Sequence, residues 1–183
     1  QIYVAFEIVE SPIPELVGAR AVIWTTTPWT IPVNQALAYG PEVEYVLWTL
    51  QDGRKVLVAE QLLAAFTHRV DGAKASEGQD GFSAAGFVGE HRRWKGSELA
   101  GTVARHPMHH LGGFFARPRP FLAGDFVTTD SGTGLVHMAP DHGEDDFELC
   151  KAHGIEPVFA VEADGKYRAN WPWLGGQGSV ING

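Results

Sequence analysis

The side chains that could do chemistry are concentrated in two short stretches of the chain, the longer of which covers residues 132–146. Between His137 and Asp146 this stretch places two imidazoles and four carboxylates within ten residues. It follows a pattern typical of a strand and leads into one typical of a helix. Because carboxylates are stabilised at the N-terminal end of a helix, we interpret Asp141, Glu144 and Asp145 as cap and first-turn charges.

The same stretch is also a candidate metal site. Its residues His137, Asp141, His142 and Asp146 are permitted ligands for zinc or for a harder cation. Their spacing fits no established ligand pattern, including the two histidines one helical turn apart in the zincins. We therefore predict no metal, and a metal-dependent hydrolase built on residues 137–146 remains an alternative.

The second stretch covers residues 25–34 and begins with three consecutive threonines. Threonine at the end of a strand is usually a good strand former with one solvated side. The strand ends at Pro28, and Trp29 and Asn34 follow. The three threonine hydroxyl groups at this strand end could therefore also hold a water molecule or a ribose. Among the six tryptophans, Trp29 is the one predicted to be free for stacking, because Pro28 and Pro32 keep its segment out of regular structure.

The residue types exclude several other kinds of site. The sequence has no Gly-x-Ser-x-Gly nucleophile turn and no Gly-x-x-x-x-Gly-Lys phosphate loop. The lone Cys150 falls on the apolar face of a predicted helix, where a thiol without a charged partner is inert, so we assign it to the core. A single cysteine also excludes an internal disulfide and is typical of a reducing compartment, which predicts a cytoplasmic protein.

The net charge limits the partners that the chain can bind. With a formal charge of −8 over 183 residues, a broad basic surface is not expected, and any nucleic acid should be held weakly by this chain alone. No apolar run approaches the roughly 20 residues that span a bilayer, so no membrane partner is predicted. Because the chain starts at Gln1 and stops abruptly at Gly183, we expect residues 1–183 to be a single domain from a longer protein.

The elements that must position these residues are mostly short strands. Apolar alternation and turn residues predict strands at 1–10, 20–27, 44–49, 55–59, 99–104, 120–123, 126–129, 134–137 and 157–161. Helices are predicted at 60–70 and 144–153, with a surface excursion over residues 71–89. This content predicts an α+β fold, built on a curved, mostly antiparallel β-sheet or partial barrel with a few flanking helices.

Three ordered blocks of the sequence resemble the editing domain of class I aminoacyl-tRNA synthetases, and the resemblance covers nearly the whole chain. The blocks are residues 25–34, residues 95–101 followed by His106 and Pro107, and residues 127–146. The run Thr-Thr-Thr-Pro-Trp-Thr is similar to the isoleucyl type of this domain, since the valyl and leucyl types carry an arginine where this chain has Thr27. The resemblance therefore implies a fold shared with the valyl, leucyl and isoleucyl editing domains.

The resemblance also implies an activity, which is hydrolysis of the ester in tRNA(Ile) misacylated with valine; whether valyl-adenylate is cleaved too is left open. By motif match, Asp146 would bind the α-amino group of the substrate and His137 would form the wall that excludes a larger side chain. The pocket and the attacking water would be held by Thr25, Thr26, Thr27 and Asn34, beside Trp29. Thr26, Thr27, Asn34, His137 and Asp146 are the residues expected at the catalytic step.

No residue stands out as a strong general base, so we expect catalysis by positioning of a water molecule, with no cofactor in this domain. The implied partners are the aminoacylated 3′ end of tRNA(Ile), its valine moiety and the remainder of a parent synthetase that binds ATP, with the domain itself a monomer. Alternatives that the residues leave open are a valyl-type domain that clears threonine, the metal-dependent hydrolase, and a non-catalytic module that docks tRNA or another chain.

Overall fold

A computed structural model describes residues 1–50, 53–74 and 92–171. In these ranges the chain forms nine strands and two α-helices, joined by turns and short 3-10 helices. The strands are β1 (Ile2–Glu10), β2 (Arg20–Thr25), β3 (Ala36–Tyr39), β4 (Glu44–Thr49), β5 (Lys55–Ala59), β6 (Arg92–Lys95), β7 (Val103–Arg105), β8 (Pro118–Ala123) and β9 (Leu135–Met138). The helices are α1 (Leu63–Lys74) and α2 (Glu144–Ala152).

The strands form one open sheet in the order β6-β4-β5-β2-β1-β7-β8-β3-β9. Six of the eight neighbouring pairs are antiparallel, while β2–β5 and β3–β8 are parallel. The prediction of a curved, mostly antiparallel sheet with few helices is therefore confirmed. The sheet is mixed and does not close into a barrel.

The apolar core lies on both faces of the sheet because the central strands bury side chains in both directions. One face packs residues of β1, β2, β4 and β5 against residues of β3, β8 and β9, among them Phe6, Ile23, Leu37, Leu57 and Leu135. This packing curls the sheet toward itself. The other face carries Val22, Val46 and Val58, which α1 covers with Phe66 and Val70.

Most of the predicted elements are present. The hairpin of 44–49 and 55–59 is confirmed, as are strands close to the predicted bounds at 1–10, 20–27, 120–123 and 134–137. Helix 144–153 is confirmed as α2, and helix 60–70 begins as a 3-10 turn at Glu60–Leu62 and continues as α1. Because α1 extends to Lys74, the first residues of the predicted excursion 71–89 are helical, and the remainder lies outside the described residues. Cys150 is buried in the core, as predicted.

Two strand predictions are wrong, and a third is confirmed only in part. Residues 126–129 form a turn, in which the Val127 N–H donates to the carbonyl of Gly124. Within 157–161 only Val161 makes a bridge, with Tyr167 across the predicted turn at Gly165. Residues 99–104 divide between the 3-10 helix Gly96–Leu99 and the short strand β7. In each case the run lacks a ladder partner along its whole length.

Two strands were not predicted because neither has the alternation of a half-buried strand. Strand β3 reads Ala-Leu-Ala-Tyr and is buried on both faces. Strand β6 reads Arg-Arg-Trp-Lys and lies at the edge of the sheet, where its cations form ion pairs with Glu15, Glu60 and Glu42. Among the described residues, no helix is both long and apolar enough to cross a membrane.

Candidate active site

Strand β3 brings the two polar stretches of the sequence together. It pairs antiparallel with β9, so that Ala36 lies opposite Met138 and Leu37 opposite His137. The start of β3 therefore meets the end of β9. We call residues 25–34, which precede β3, the threonine segment, and residues 132–146, which contain β9, the acidic segment. The N–H of Gln35 donates to the carbonyl of Met138 at 2.9 Å and continues this pairing beyond β3.

A cleft of about 460 Å³ opens between the two segments. One side is lined by Trp24, Thr25, Thr26, Thr27, Trp29 and Thr30. The other side is lined by Val136, His137, Ala139, His142 and Asp146. Six of the seven residues predicted for the site thus line one cleft, and Asn34 does not.

The threonine segment is held by its own side chains. Beyond Thr25 the chain turns into a 3-10 helix, Pro28–Val33. The N–H of Thr27 donates to Thr25 Oγ1 at 3.0 Å, and the two hydroxyl oxygens lie 3.1 Å apart. The hydroxyl of Thr30 donates to the carbonyl of Thr27 at 2.8 Å. These local bonds leave Thr26 exposed and direct Thr25 and Thr30 into the protein.

Trp29 is 38% exposed in the cleft, as predicted for a tryptophan free to stack. Its carbonyl accepts a hydrogen bond from the Tyr167 hydroxyl at 2.8 Å, which ties the threonine segment to the C-terminal part of the described chain. Trp171 is buried, whereas Trp24, Trp48 and Trp94 are partly buried. The remaining tryptophan, Trp173, lies outside the described residues.

His137 is a buried and neutral side chain. Its Nε2 lies 3.2 Å from Thr30 Oγ1. Since the Thr30 proton is donated to the Thr27 carbonyl, Nε2 is assigned as the donor and Nδ1 carries the lone pair. Nδ1 is buried and has no hydrogen-bond partner among the described residues. Burial, with a smaller effect of His142, lowers the pKa of His137 to about 4, so the ring is uncharged at neutral pH.

Asp146 presents a half-buried carboxylate at the first turn of α2. Its Oδ2 accepts a hydrogen bond from the Ala139 N–H at 2.8 Å. Burial raises the pKa of this carboxyl, the Ala139 bond lowers it, and the charge of Asp145 raises it further. Its Oδ1 lies beside Gly143, where an added Cβ would come within 3.0 Å of that oxygen. The lack of a side chain at Gly143 leaves room for Oδ1.

The remaining acidic residues have simpler environments. Glu144 and Asp145 are exposed in the first turn of α2, which confirms the prediction of first-turn charges. That prediction is wrong for Asp141, which precedes the helix and places Oδ2 3.2 Å from His142 Nε2. Burial raises the pKa of Asp141. Within residues 1–50, 53–74 and 92–171, no three histidine, cysteine, aspartate or glutamate side chains are grouped so that they could hold a metal ion.

Asn34 lies outside the cleft, unlike the other six residues predicted for the site. Its side chain is fully buried behind the cleft. The amide Nδ2 donates to the carbonyl of Ala36 at 2.8 Å, and Oδ1 accepts from Arg119 Nε at 3.2 Å. With both ends of the amide bonded inside the protein, Asn34 is not placed to contact a substrate in the cleft.

Two buried residues behind the threonine segment were missed as contributors to the site. His106 donates from Nε2 to the carbonyl of Ile31 at 2.8 Å, while its Nδ1 accepts from the Met108 N–H at 3.0 Å. Burial lowers the pKa of His106 to about 4. The sequence did contain a signal for His106, since the pair His106-Pro107 belongs to the second sequence block. Arg119, which binds Asn34, stands in a Pro-Arg-Pro stretch of β8 that gives no local indication of its contacts.

The second sequence block supports the sheet and is not part of the cleft. Gly96 lies so close to the β3–β4 connection that an added Cβ would come within 1.9 Å of the Gly40 carbonyl oxygen. The Tyr45 hydroxyl joins this connection to the acidic segment, since it accepts from the Gly40 N–H at 2.9 Å and donates to the Gly134 carbonyl at 2.5 Å. Gly134 itself has φ +76 and packs against Ala59 without room for a side chain. These contacts fix where β9 begins.

Relatives of this chain are found among the isoleucine–tRNA ligases. The sequence is 58% identical over 178 residues to the isoleucine–tRNA ligase of Zymomonas mobilis, in an alignment that covers 97% of this chain and 18% of that protein. The isoleucine–tRNA ligase of Gluconobacter oxydans is 44% identical over 186 residues, with coverage of 94% and 17%. The chain belongs to the isoleucine–tRNA ligase family. It spans less than a fifth of the length of these relatives, and no family model matches it.

Solved structures show which fold this segment of the ligase family adopts. The crystal structure of GlLeuRS-CP1 superposes with a TM-score of 0.56 and 19% identity, covering 73% of this chain and 43% of that one. The editing domain of the P. falciparum cytosolic leucyl-tRNA synthetase superposes with a TM-score of 0.53 and 12% identity, covering 74% and 47%. At these identities the likeness concerns the fold, which is that of the synthetase editing domains.

Proposed function

We propose that the chain hydrolyses the ester bond that links valine to tRNA(Ile), as the editing domain of an isoleucine–tRNA ligase. The observation that carries the proposal is that the threonine segment and the acidic segment line the same cleft. Its hydroxyl groups, neutral imidazole and carboxylate match the parts of an aminoacyl ester, and the fold and family of the chain support the same function.

The substrate is oriented by its charge and by its adenosine. The ammonium group of the amino acid binds Asp146, because a charge-assisted hydrogen bond is the strongest contact that the cleft offers. The Oδ1 atom is available for this bond, since Oδ2 already accepts from Ala139. The exposed face of Trp29 suits stacking of the terminal adenine, and Thr26 and Thr27 at the cleft offer hydroxyls to the ribose.

Hydrolysis proceeds by attack of a positioned water molecule. Its oxygen bonds to the ester carbonyl carbon, the bond from that carbon to the ribose oxygen breaks, and a proton passes to the leaving oxygen, which gives free valine and tRNA(Ile). The buried histidine does not serve as the base, because His137 Nε2 is engaged with Thr30 and Nδ1 is enclosed. Catalysis comes mainly from alignment of the water and the ester.

Selection of valine over isoleucine follows from the size of the cleft beside His137. A single methylene allows only about 10–200-fold discrimination at a synthetic site, a limit for which the isoleucyl enzymes are the established example, so a second and smaller hydrolytic site is needed. A neutral ring held by burial and by Thr30 is a rigid wall for such a site. In this proposal the wall admits the valine side chain and stops the longer one.

The rest of the parent synthetase makes most of the contacts that bind the tRNA. The formal charge of −8 opposes a phosphate backbone. We therefore propose that this domain, working in the cytoplasm as part of a longer ATP-binding synthetase, receives only the aminoacylated 3′ end. Binding of tRNA by the isolated chain is expected to be weak and to weaken further with salt.

The experiment that tests the function offers the chain three esters of tRNA(Ile), charged with valine, threonine or isoleucine. We expect loss of the valine ester at a rate well above the rate without protein, and stability of the isoleucine ester. Preferential loss of the threonine ester would instead indicate valyl-type specificity. Stability of all three esters in the presence of folded chain would contradict hydrolysis and would leave a binding module.

A further inference from the structure

Arg119 is a buried cation with an unusual set of partners. Its side chain is 1% exposed on β8. No carboxylate among the described residues pairs with it, and burial, with Arg117 nearby, lowers its pKa to about 10. Burying a charge without an opposite charge is costly, so its contacts are expected to matter to the protein.

The guanidinium uses its donors on main-chain and amide oxygens. Nη1 donates to the carbonyl of Arg117 at 2.5 Å and Nη2 to the carbonyl of Phe114 at 3.1 Å. Nε donates to Asn34 Oδ1 at 3.2 Å. The guanidinium also lies over the Phe114 ring, 5.0 Å from its centroid. This arrangement needs a planar group with several fixed donors, which lysine cannot provide.

Asn34 connects Arg119 to the threonine segment, which lines one side of the cleft. It lies at the C-terminal end of the 3-10 helix Pro28–Val33, where its N–H donates to the carbonyl of Ile31 at 3.0 Å. Its side chain donates to the carbonyl of Ala36, the first residue of β3. Arg119 thus fixes the point at which the threonine segment leaves the cleft and enters the sheet.

We propose that Arg119 is a positioning residue for the hydrolysis proposed above, acting through Asn34 on the threonine segment. His106 holds the same segment at the Ile31 carbonyl, and His137 and Tyr167 contact it at Thr30 and Trp29. Loss of Arg119 therefore releases one of several anchors and leaves the sheet in place. Without this anchor, the threonine hydroxyl groups that line the cleft are displaced. A displacement of about 1 Å in a positioned group can reduce a rate by roughly a hundredfold.

The first experiment measures single-turnover hydrolysis of the valine ester at increasing concentrations of the chain. Arg119→Met and Arg119→Lys are compared with Arg105→Met, a matched control on the neighbouring strand, where the arginine pairs with Glu7 at the surface. We expect both Arg119 variants to lose at least tenfold in maximal rate, with less than threefold change in the half-saturating concentration. Wild-type rates in both Arg119 variants would overturn the proposal.

The second experiment asks whether Arg119 acts through Asn34. Asn34→Ala is measured alone and together with Arg119→Met. If both residues hold the same anchor, the double variant is no slower than the slower single variant within about twofold, because the second change removes nothing further. Multiplicative losses would show that Arg119 acts independently of Asn34 and would overturn this part of the proposal.

The third experiment measures, in the absence of substrate, whether Arg119 stabilises the threonine segment. Amide hydrogen exchange is measured at Thr30 and Asn34, whose N–H groups donate within the 3-10 helix, and at the β4–β5 pair as a reference. In Arg119→Met, we expect exchange at Thr30 and Asn34 to accelerate at least tenfold while the β4–β5 amides are unchanged. Equal acceleration everywhere would indicate a purely structural role. An inactive wild type would contradict the proposed function, whereas this exchange result would still decide whether the anchor exists.

Discussion

Thr30 Oγ1 and His137 Nε2 lie 3.2 Å apart, although the two residues are separated by 107 positions in the chain. This hydrogen bond joins the threonine segment to the acidic segment where both line the cleft. It also selects the tautomer of His137, because the Thr30 proton is already donated to the Thr27 carbonyl. The shape of the cleft beside His137 therefore depends on both segments.

Truncation of His137 is expected to relax the selection by size. In His137→Ala the space of the ring becomes available, so the variant should begin to hydrolyse isoleucyl-tRNA(Ile) while keeping some activity on the valine ester. Single-turnover deacylation of the two esters measures this. If His137 were instead a general base, both esters would become stable together, and that result would contradict its assignment as a wall.

The hydroxyl of Thr30 is expected to hold the wall in place. Thr30→Val keeps the shape of the side chain but removes the acceptor of the His137 Nε2 proton, which leaves a buried donor unpaired at a cost of about 1–3 kcal/mol. We expect lower stability in urea unfolding and a smaller ratio of valine to isoleucine ester hydrolysis. Thr30→Ser, which retains the hydroxyl, serves as the control and should preserve the ratio. An unchanged ratio in Thr30→Val would show that the bond does not set selectivity.

The charge of Asp146 is expected to be needed for the valine ester. Asp146→Asn keeps an acceptor for the Ala139 N–H but loses the anion, so hydrolysis should fall by roughly a hundredfold with little loss of stability. Asp146→Ala should lose as much activity and, in addition, about 1 kcal/mol of stability, since the Ala139 N–H loses its partner. Asp145→Asn, exposed in the same turn, is the matched control. Near-normal hydrolysis by Asp146→Asn would refute the ammonium contact.

The fold is expected to be less stable in mild acid because two buried histidines resist protonation. The pKa values of His106 and His137 are about 4 in the folded chain, below the roughly 6.5 of an unfolded histidine. The unfolded chain therefore binds more protons between these values, so their contribution is complete above pH 6.5 and decreases as the pH falls toward 4. Each should cost about 2 kcal/mol at pH 5, partly offset by the raised pKa values of Asp141 and Asp146.

Urea unfolding at pH 8, 6.5 and 5 measures this loss. His106→Gln should reduce the difference in unfolding free energy between pH 8 and pH 5, because one titrating group is removed. Equal stability of the wild type at pH 8 and pH 5 would contradict the predicted loss of stability in mild acid.

Hydrolysis is expected to be independent of a bound metal ion. The ligand-type side chains of residues 137–146 are engaged in separate contacts, His137 with Thr30, Asp141 with His142 and Asp146 with Ala139. Deacylation of the valine ester should survive exhaustive chelation, which an assay before and after treatment measures. Stoichiometric zinc that leaves the protein together with its activity would favour the metal-dependent alternative.

The local features of the chain could be predicted from the sequence because their causes lie within a few residues. The hairpin of β4 and β5 follows from alternation around a turn, and α2 follows from its apolar spacing and acidic first turn. Trp29 is exposed as predicted, but the reason given for it is wrong, because Pro28 and Pro32 lie within a 3-10 helix and do not keep the segment irregular. The residue types in the threonine and acidic segments were likewise sufficient to indicate the family.

Only the tertiary structure decided how these segments meet. Strand β3 is short and buried on both faces, so no periodicity marks it, yet its pairing with β9 brings His137 beside Thr30. Asn34 had the polarity of a cleft residue, but its amide binds Arg119, which lies 85 positions away. Such contacts depend on how the sheet curls. A sequence specifies which groups can form hydrogen bonds, and the packing of distant strands determines which of those groups face the cleft and which hold it in place.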